Sequence, residues 1–154
     1  MSTRKTAGVK RATAVASDTH CFCGSDSLRM ERDGRTLRAR VAGILGLREA
    51  LGAMTQIRNE VQRGGIEVLL IDLRSCAITL SMEEYVDLLR EVFRRPIRQP
   101  IAFIASKWLM TLACAHQNLL ARRGLQRAFF STSERADRWC QRLLSLQLNQ
   151  GSAA

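Results

Sequence analysis

The sequence predicts a single α/β domain: a mixed, mostly parallel β-sheet that opens on a β-hairpin, with elements in the order ββαβαβαβα. Three observations carry this. Continuous apolar runs alternate with segments of helical period along most of the chain. Ser81, Ser106 and Ser131 stand 25 residues apart, each where an extended run gives way to a helical pattern. Asp33-Gly34 separates two alternating runs, a strong hairpin signal. At 154 residues the chain fits one domain with a proper core. Aromatics are only 5% of it, so that core must be built from Leu, Ile, Val, Ala and Met.

Residues 1–25 are small, polar and basic, without periodicity, and are expected to form a mobile arm. The domain is expected over 26–147, and 148–154 as a fraying tail. The first strand begins at Leu28 and meets Asp33-Gly34, a turn in which both residues want positive φ. In the second strand Leu37, Ala39 and Val41 share one face, while Arg38 and Arg40 take the other. That second face is either solvated or in contact with something acidic. By virtue of the hairpin the first strand is antiparallel and should lie at an edge.

After Gly43 the period changes from two to about 3.6. Leu47, Leu51, Met54, Ile57 and Val61 form one helical stripe, stopped by Gly64-Gly65. Val68 to Leu73 reads as a central strand covered on both faces and ending at Asp72, with Arg74 to Leu80 as the loop after it. Ser81 with Glu84 makes a capping box. The helix behind it should bury Met82, Tyr85, Val86, Leu89, Val92 and Phe93, and it stops before Pro96. Ile101 to Ala105 is the next strand. Ser106 caps a helix that uses Leu109, Leu112, Ala113, Leu119 and Leu120 and ends at Gly124. Leu125 to Phe130 is the last strand. Ser131 and Glu134 repeat the capping box before a stripe of Ala136, Trp139, Cys140, Leu143 and Leu144. Right-handed crossovers make the later strands parallel.

Charge narrows the partners without naming one. The formal net charge is +10, carried almost wholly by arginine, since Lys5, Lys10 and Lys107 are the only lysines. Such a surplus attracts nucleic acid, anionic lipid or an acidic protein, or serves only solubility. No apolar run approaches the roughly 20 residues of a membrane span. Met1 to Thr19 lacks the apolar stretch of a secretory signal, so a cytoplasmic protein is expected. The five cysteines are an odd, scattered set with no disulfide framework.

Chemistry-bearing patterns are few. The glycine-rich turns that admit a dinucleotide or nucleotide are absent, and no cofactor is expected. A hydrolytic triad needs a histidine base, but His20 lies in the arm and His116 on a core-facing stripe. His20, Cys21 and Cys23 offer zinc three ligands where it needs four, and no metal site is assigned. Asp72, Arg74, Ser75, Thr79, Ser81, Ser106 and Lys107 should gather on one sheet edge, with Ser131 and Ser133. Helix N-termini with hydroxyls there suit an anion or a phosphorylated side chain, although helices need caps in any case. Asp72 is either functional at that edge or structural, bonding its own loop or pairing with Arg74. Arg90, Arg94, Arg95, Arg98, Arg122, Arg123 and Arg127 should lie on the opposite edge, where a polyanion could bind. No interleaved aromatics suggest base stacking there.

The order so assembled resembles the STAS-like family, whose familiar members are anti-sigma-factor antagonists of the SpoIIAA type. The resemblance covers residues 27–146. It rests on the initial hairpin, Gly43, the run Leu69-Leu70-Ile71-Asp72-Leu73-Arg74, and Phe129-Phe130 followed by Glu134-Arg135-Ala136-Asp137-Arg138-Trp139. In the antagonist branch an Asp-Ser-Ser-Gly loop opens the helix after the central strand, and its serine is phosphorylated. Here the matching stretch is Leu80-Ser81-Met82-Glu83, so Ser81 stands at the serine while its neighbours differ. The resemblance implies a non-enzymatic regulatory module that binds a protein through the loop and helix starting at Ser81, with the phosphorylation switch either kept at Ser81 or lost with its changed neighbours. It also implies that a small apolar or anionic ligand, as in some relatives, would sit at the serine-rich edge. A nucleic-acid-associated protein using the basic arm and the arginine edge is the alternative.

Overall fold

A computed structural model describes residues 22–23 and 27–151, without the side chains at 22–23, 108, 112–116 and 149–151. Its strands are β1 (Phe22–Cys23), β2 (Leu28–Asp33), β3 (Thr36–Leu45), β4 (Val68–Ile78), β5 (Ile101–Ile104) and β6 (Arg127–Phe130). The helices are α1 (Leu47–Gln62), α2 (Met82–Arg94), α3 (Lys107–Arg122) and α4 (Ser133–Gly151). The six strands lie side by side in chain order. β1–β2 and β2–β3 are antiparallel, and every later pair is parallel. The mixed, mostly parallel sheet and the hairpin are thus as the sequence predicts. The first predicted strand, β2, is not the edge, however: β1 pairs outside it.

The hairpin turn sits one residue later than its sequence signal. Asp33 pairs with Thr36, so Gly34 and Arg35 are the central residues. Gly34 has φ +57°, while no other residue type among those described has positive φ. A turn that opens on glycine needs left-handed backbone only there.

Unbroken strand order decides where the helices go. Right-handed crossovers that always step in one direction put α1, α2 and α3 on the same face of the sheet, and α4 is free to take the other. The two apolar clusters follow this division. Leu37, Ala39, Val41, Leu69 and Ile71 pack with Ala50 and Ile57 of α1. Val68, Leu70, Ala102 and Ile104 pack with Ala136 and Cys140 of α4. The α4 stripe read from the sequence is the one observed.

β3 and β4 run past their predicted ends. Arg40 pairs with Asp72 but Ala42 pairs with Ser75, so β4 carries one extra residue, a bulge just after Asp72. Asp72 therefore lies inside a strand that continues to Ile78, and the predicted loop from Arg74 is mostly strand. The α2 stripe also differs from expectation. Met82 and Val86 are exposed, and no residue of α2 is fully buried.

Candidate functional site

The parallel strands end together, and the turns that follow them bring Thr79, Ser81, Ser106 and Lys107 to one edge, all four exposed. Ser75 is exposed near the end of β4. Ser81 has extended backbone at the N-cap of α2. Its Oγ accepts from the Glu84 N–H at 3.2 Å, and a Glu84 carboxylate oxygen accepts from the Ser81 N–H at 2.8 Å. The capping box is as predicted. Ser106 occupies the N-cap of α3 but makes no side-chain cap bond. At α4 the cap falls one residue later than expected. The Ala136 N–H bonds the Thr132 carbonyl, and α4 begins at Ser133, which leaves Ser131 outside it. A bond from Glu134's own backbone N–H, and then one from the Thr132 hydroxyl, hold the Glu134 carboxyl below the usual carboxylate range.

Asp72 is buried (7% exposed) and committed to structure. Its Oδ1 accepts from the backbone N–H and from Nε of Arg74, both at 3.0 Å, and its Oδ2 accepts from Nη2 at 2.8 Å. The bulge turns the Arg74 N–H back onto the carboxylate, which is how a residue two positions on can bond both ways. Arg40 adds its charge at 3.9 Å. The Arg74 side-chain bonds, helped by its backbone N–H, hold the carboxyl below its ordinary value against the opposing effect of burial. Arg74 also donates to Ser133 Oγ at 3.0 Å, tying the strand to the start of α4. Of the roles left open by the sequence, the pairing with Arg74 is the one seen. The arginine face of β3 meets acids too: Arg38 pairs with Asp137 of α4 at 2.7 Å.

At the opposite edge much of the predicted arginine set is engaged within the chain. Arg90 pairs with Asp87 at 2.7 Å, and Arg94 and Arg95 pair with Glu91 at 2.7 and 4.0 Å. The Arg123 guanidinium lies over the Phe93 ring, 5.1 Å from its centroid. Arg98 and Arg122 are exposed. Arg127 departs from the set: it is buried, 7% exposed, inside β6 rather than on the surface. Its guanidinium donates to the carbonyls of Gln99 (2.9 Å), Gln126 (2.8 Å) and Ile97 (2.5 Å). Burial lowers its pKa to about 10.

Sequence reasoning missed one feature. Between α2 and the sheet lies a cavity of about 430 Å³. It runs from Ser81 and Met82 at one end of α2 to Arg95 at the other, with Ile57, Ile71, Phe103 and Phe129 among its walls. The signal was present in α2. Its apolar residues are too many for a helix with so little of itself buried, but no sequence pattern separates a helix that packs tightly from one that roofs a void.

Among the described residues no group of three or more His, Cys, Asp or Glu could hold a metal ion, and no helix is long and apolar enough to cross a membrane. His20 and Cys21 of the short thiol-imidazole cluster lie outside the described residues, as does the side chain of Cys23.

Neither a protein-family model nor a curated protein matches the chain. Solved structures do. An uncharacterised protein of the DUF3478 family with a SpoIIAA-like fold, from Shewanella loihica PV-4, is 20% identical at a TM-score of 0.52, covering 73% of this chain and 90% of that one. The anti-sigma factor antagonist SpoIIAA in its unphosphorylated form is 11% identical at a TM-score of 0.50, covering 75% and 96%. The fold is SpoIIAA-like, as the STAS-type resemblance implied.

Proposed function

We propose that the chain is a non-enzymatic, cytoplasmic regulatory module of the STAS type that docks a partner protein through the loop and helix beginning at Ser81. The observation that supports this reading most is the exposure of Met82, 74%, directly beside the exposed Ser81 at the start of α2. Ile44, 70% exposed near the end of β3, adds a second large apolar side chain at the same edge. Apolar groups left in water beside a polar rim mark interaction sites. α2 also gives up little of its surface to the domain's own core, which leaves it available to a partner.

Docking of this kind works without a phosphate. Ser81 already caps α2, and Glu83 and Glu84 stand in its first turn. A phosphate there would bring about −1.5 to −2 charges beside two carboxylates and displace the capping box. Ser81→Glu is accordingly expected to loosen the start of α2 and weaken docking.

A photo-crosslinking amino acid placed at Met82 in cells tests the reading, with one at exposed Arg142 of α4 as the control position. A discrete protein adduct from position 82 and none from 142 is the expected result. Identical adducts from both positions, or none from 82, would sink it.

A further inference from the structure

We infer that the free edge of β6 takes an extended, acidic peptide of a partner protein as a further strand of the sheet. This surface is separate from the one at Ser81, and the inference does not rest on docking there. The sheet ends at β6, with no strand beyond it among the described residues. Native sheets blunt such an edge by shortness, by lysine or proline, or by a cover. β1, at the other end of the sheet, is two residues long. β6 has four, without lysine or proline, and its one charged side chain, Arg127, is buried. The N–H groups of Ile101 and Ala105 donate to the carbonyls of Gln126 and Phe130, which therefore face β5. Alternation along the parallel ladder turns the backbone groups of Arg127 and Phe129 outward. There the Arg127 carbonyl accepts from the Gln117 side-chain amide at 3.2 Å, a bond that stands where a neighbouring strand would donate. Among the described residues nothing bonds the backbone N–H or C=O of Phe129 on that side.

A groove of about 480 Å³ lies along this edge, between Gln117 and Ala121 of α3 and Trp139 of α4, with Ala128 in its wall and no carboxylate in its lining. An added strand would give Phe129 its missing partners and lay alternate side chains into the groove. Charge chooses the occupant. Arg122 follows Ala121 at the end of α3, and Arg135 stands one turn before Trp139 on the same side of α4. Both are exposed, and neither has an ion pair among the described residues. Cations on the two flanks favour a strand with acidic ends. They disfavour a second copy, since pairing edge to edge about a two-fold axis sets the same arginines against each other. They disfavour the chain's own residues 1–19 as well, where Arg4, Lys5, Lys10 and Arg11 precede the single acid, Asp18. Nucleic acid would meet the arginines but has no backbone of alternating donors and acceptors for Phe129.

The probe is a short synthetic peptide of alternating valine and threonine with aspartate at both ends, titrated into the full chain while amide exchange is followed by NMR. The expected result is binding that slows exchange at the Phe129 N–H. The same peptide with alternate amides N-methylated should bind about tenfold or more weakly, the scale of the backbone bonds it can no longer make. A version with lysine at both ends should bind about threefold or more weakly, the scale of exposed ion pairs. Arg122→Glu with Arg135→Glu, both on the surface, should reverse the order of the aspartate and lysine peptides. Equal binding of the N-methylated peptide overturns the inference, because the edge is then not being paired. So does binding that leaves exchange at Phe129 unchanged, or affinity indifferent to the charge of the peptide ends. A single-stranded oligonucleotide that protects Phe129 and displaces the peptide overturns it in favour of nucleic acid. Failure of the peptide to bind a chain that self-associates through β6 overturns it as well, by giving the edge to a second copy.

Discussion

The two faces of one sheet are covered in opposite ways. On one, a single helix, α4, seats Ala136 and Cys140 against Val68, Leu70, Ala102 and Ile104, and ion pairs from Arg38 to Asp137 and from Arg74 to Asp72 close the polar rim. On the other, three helices share the surface, yet α2 buries no residue fully and a cavity lies under it. The strands are alike on both sides, so the difference belongs to connectivity. α4 follows the last strand and is free to settle where it fits. α2 is held between β4 and β5 by its two connections, with α1 and α3 as neighbours on the same face. One face of a SpoIIAA-like sheet can thus be closely packed while the other keeps a cavity under its middle helix.

The comparison breaks most sharply under truncation. Ile104→Ala on the α4 face should cost about 2–5 kcal/mol, because a close-packed site cannot collapse around the loss. Leu89→Ala, beside space that is already empty, should cost clearly less, as measured by denaturant unfolding. If the two costs are equal, the faces are not different in kind. Enlargement should reverse sign between them. Ala136→Leu overpacks a wholly buried site and should destabilise by about 1–3 kcal/mol, whereas Ala53→Leu points into the cavity and should stabilise by about 0.5–2 kcal/mol. Thermal unfolding of the pair checks this. Ser81→Ala removes the cap of α2 and should cost about 1 kcal/mol. Hydrogen exchange should then place the loss in α2 and leave α4 unchanged.

The last effect is a slope rather than a step. Arg74 holds Asp72 below its ordinary pKa, so the folded state binds this proton less readily than the unfolded chain does. The resulting stability is fully present above the ordinary aspartate range, about pH 4, and is lost as the pH falls through the depressed folded value. Asp72→Asn should flatten that acid limb. An unchanged slope would mean that the carboxylate does not sense Arg74.

Much of this was legible in the sequence, for reasons particular residues make plain. The change of period after Gly43, the capping box at Ser81 and Glu84, and the glycines with positive φ at 64, 65 and 124 are local signals, and local chemistry decides them. The end of β4 was not legible. A bulge hides the alternation after Asp72, so that Leu73 and Cys76, three apart, both pack toward the α1 face. Arg127 was not legible either, since an arginine after a run of basic residues reads as surface until the strand beneath it is placed. The cap of α4 shifted from Ser131 to Thr132 because both hydroxyls suit the position and only the backbone path chooses between them. Of the predicted site residues, Ser81, Ser106 and Lys107 do share an edge, while Asp72 is turned inward to Arg74.

That the six strands lie in chain order also bears on how the molecule comes to be. Each strand finds its partner in the strand made just before it, so every pairing closes over one hairpin or one helical crossover. No strand must be inserted between two others already joined. Sheets with such near-neighbour pairing fold faster than those that wait for distant segments. Growth from the ribosome could proceed strand by strand, with α4, made after β6, sealing the second face only when the sheet is complete.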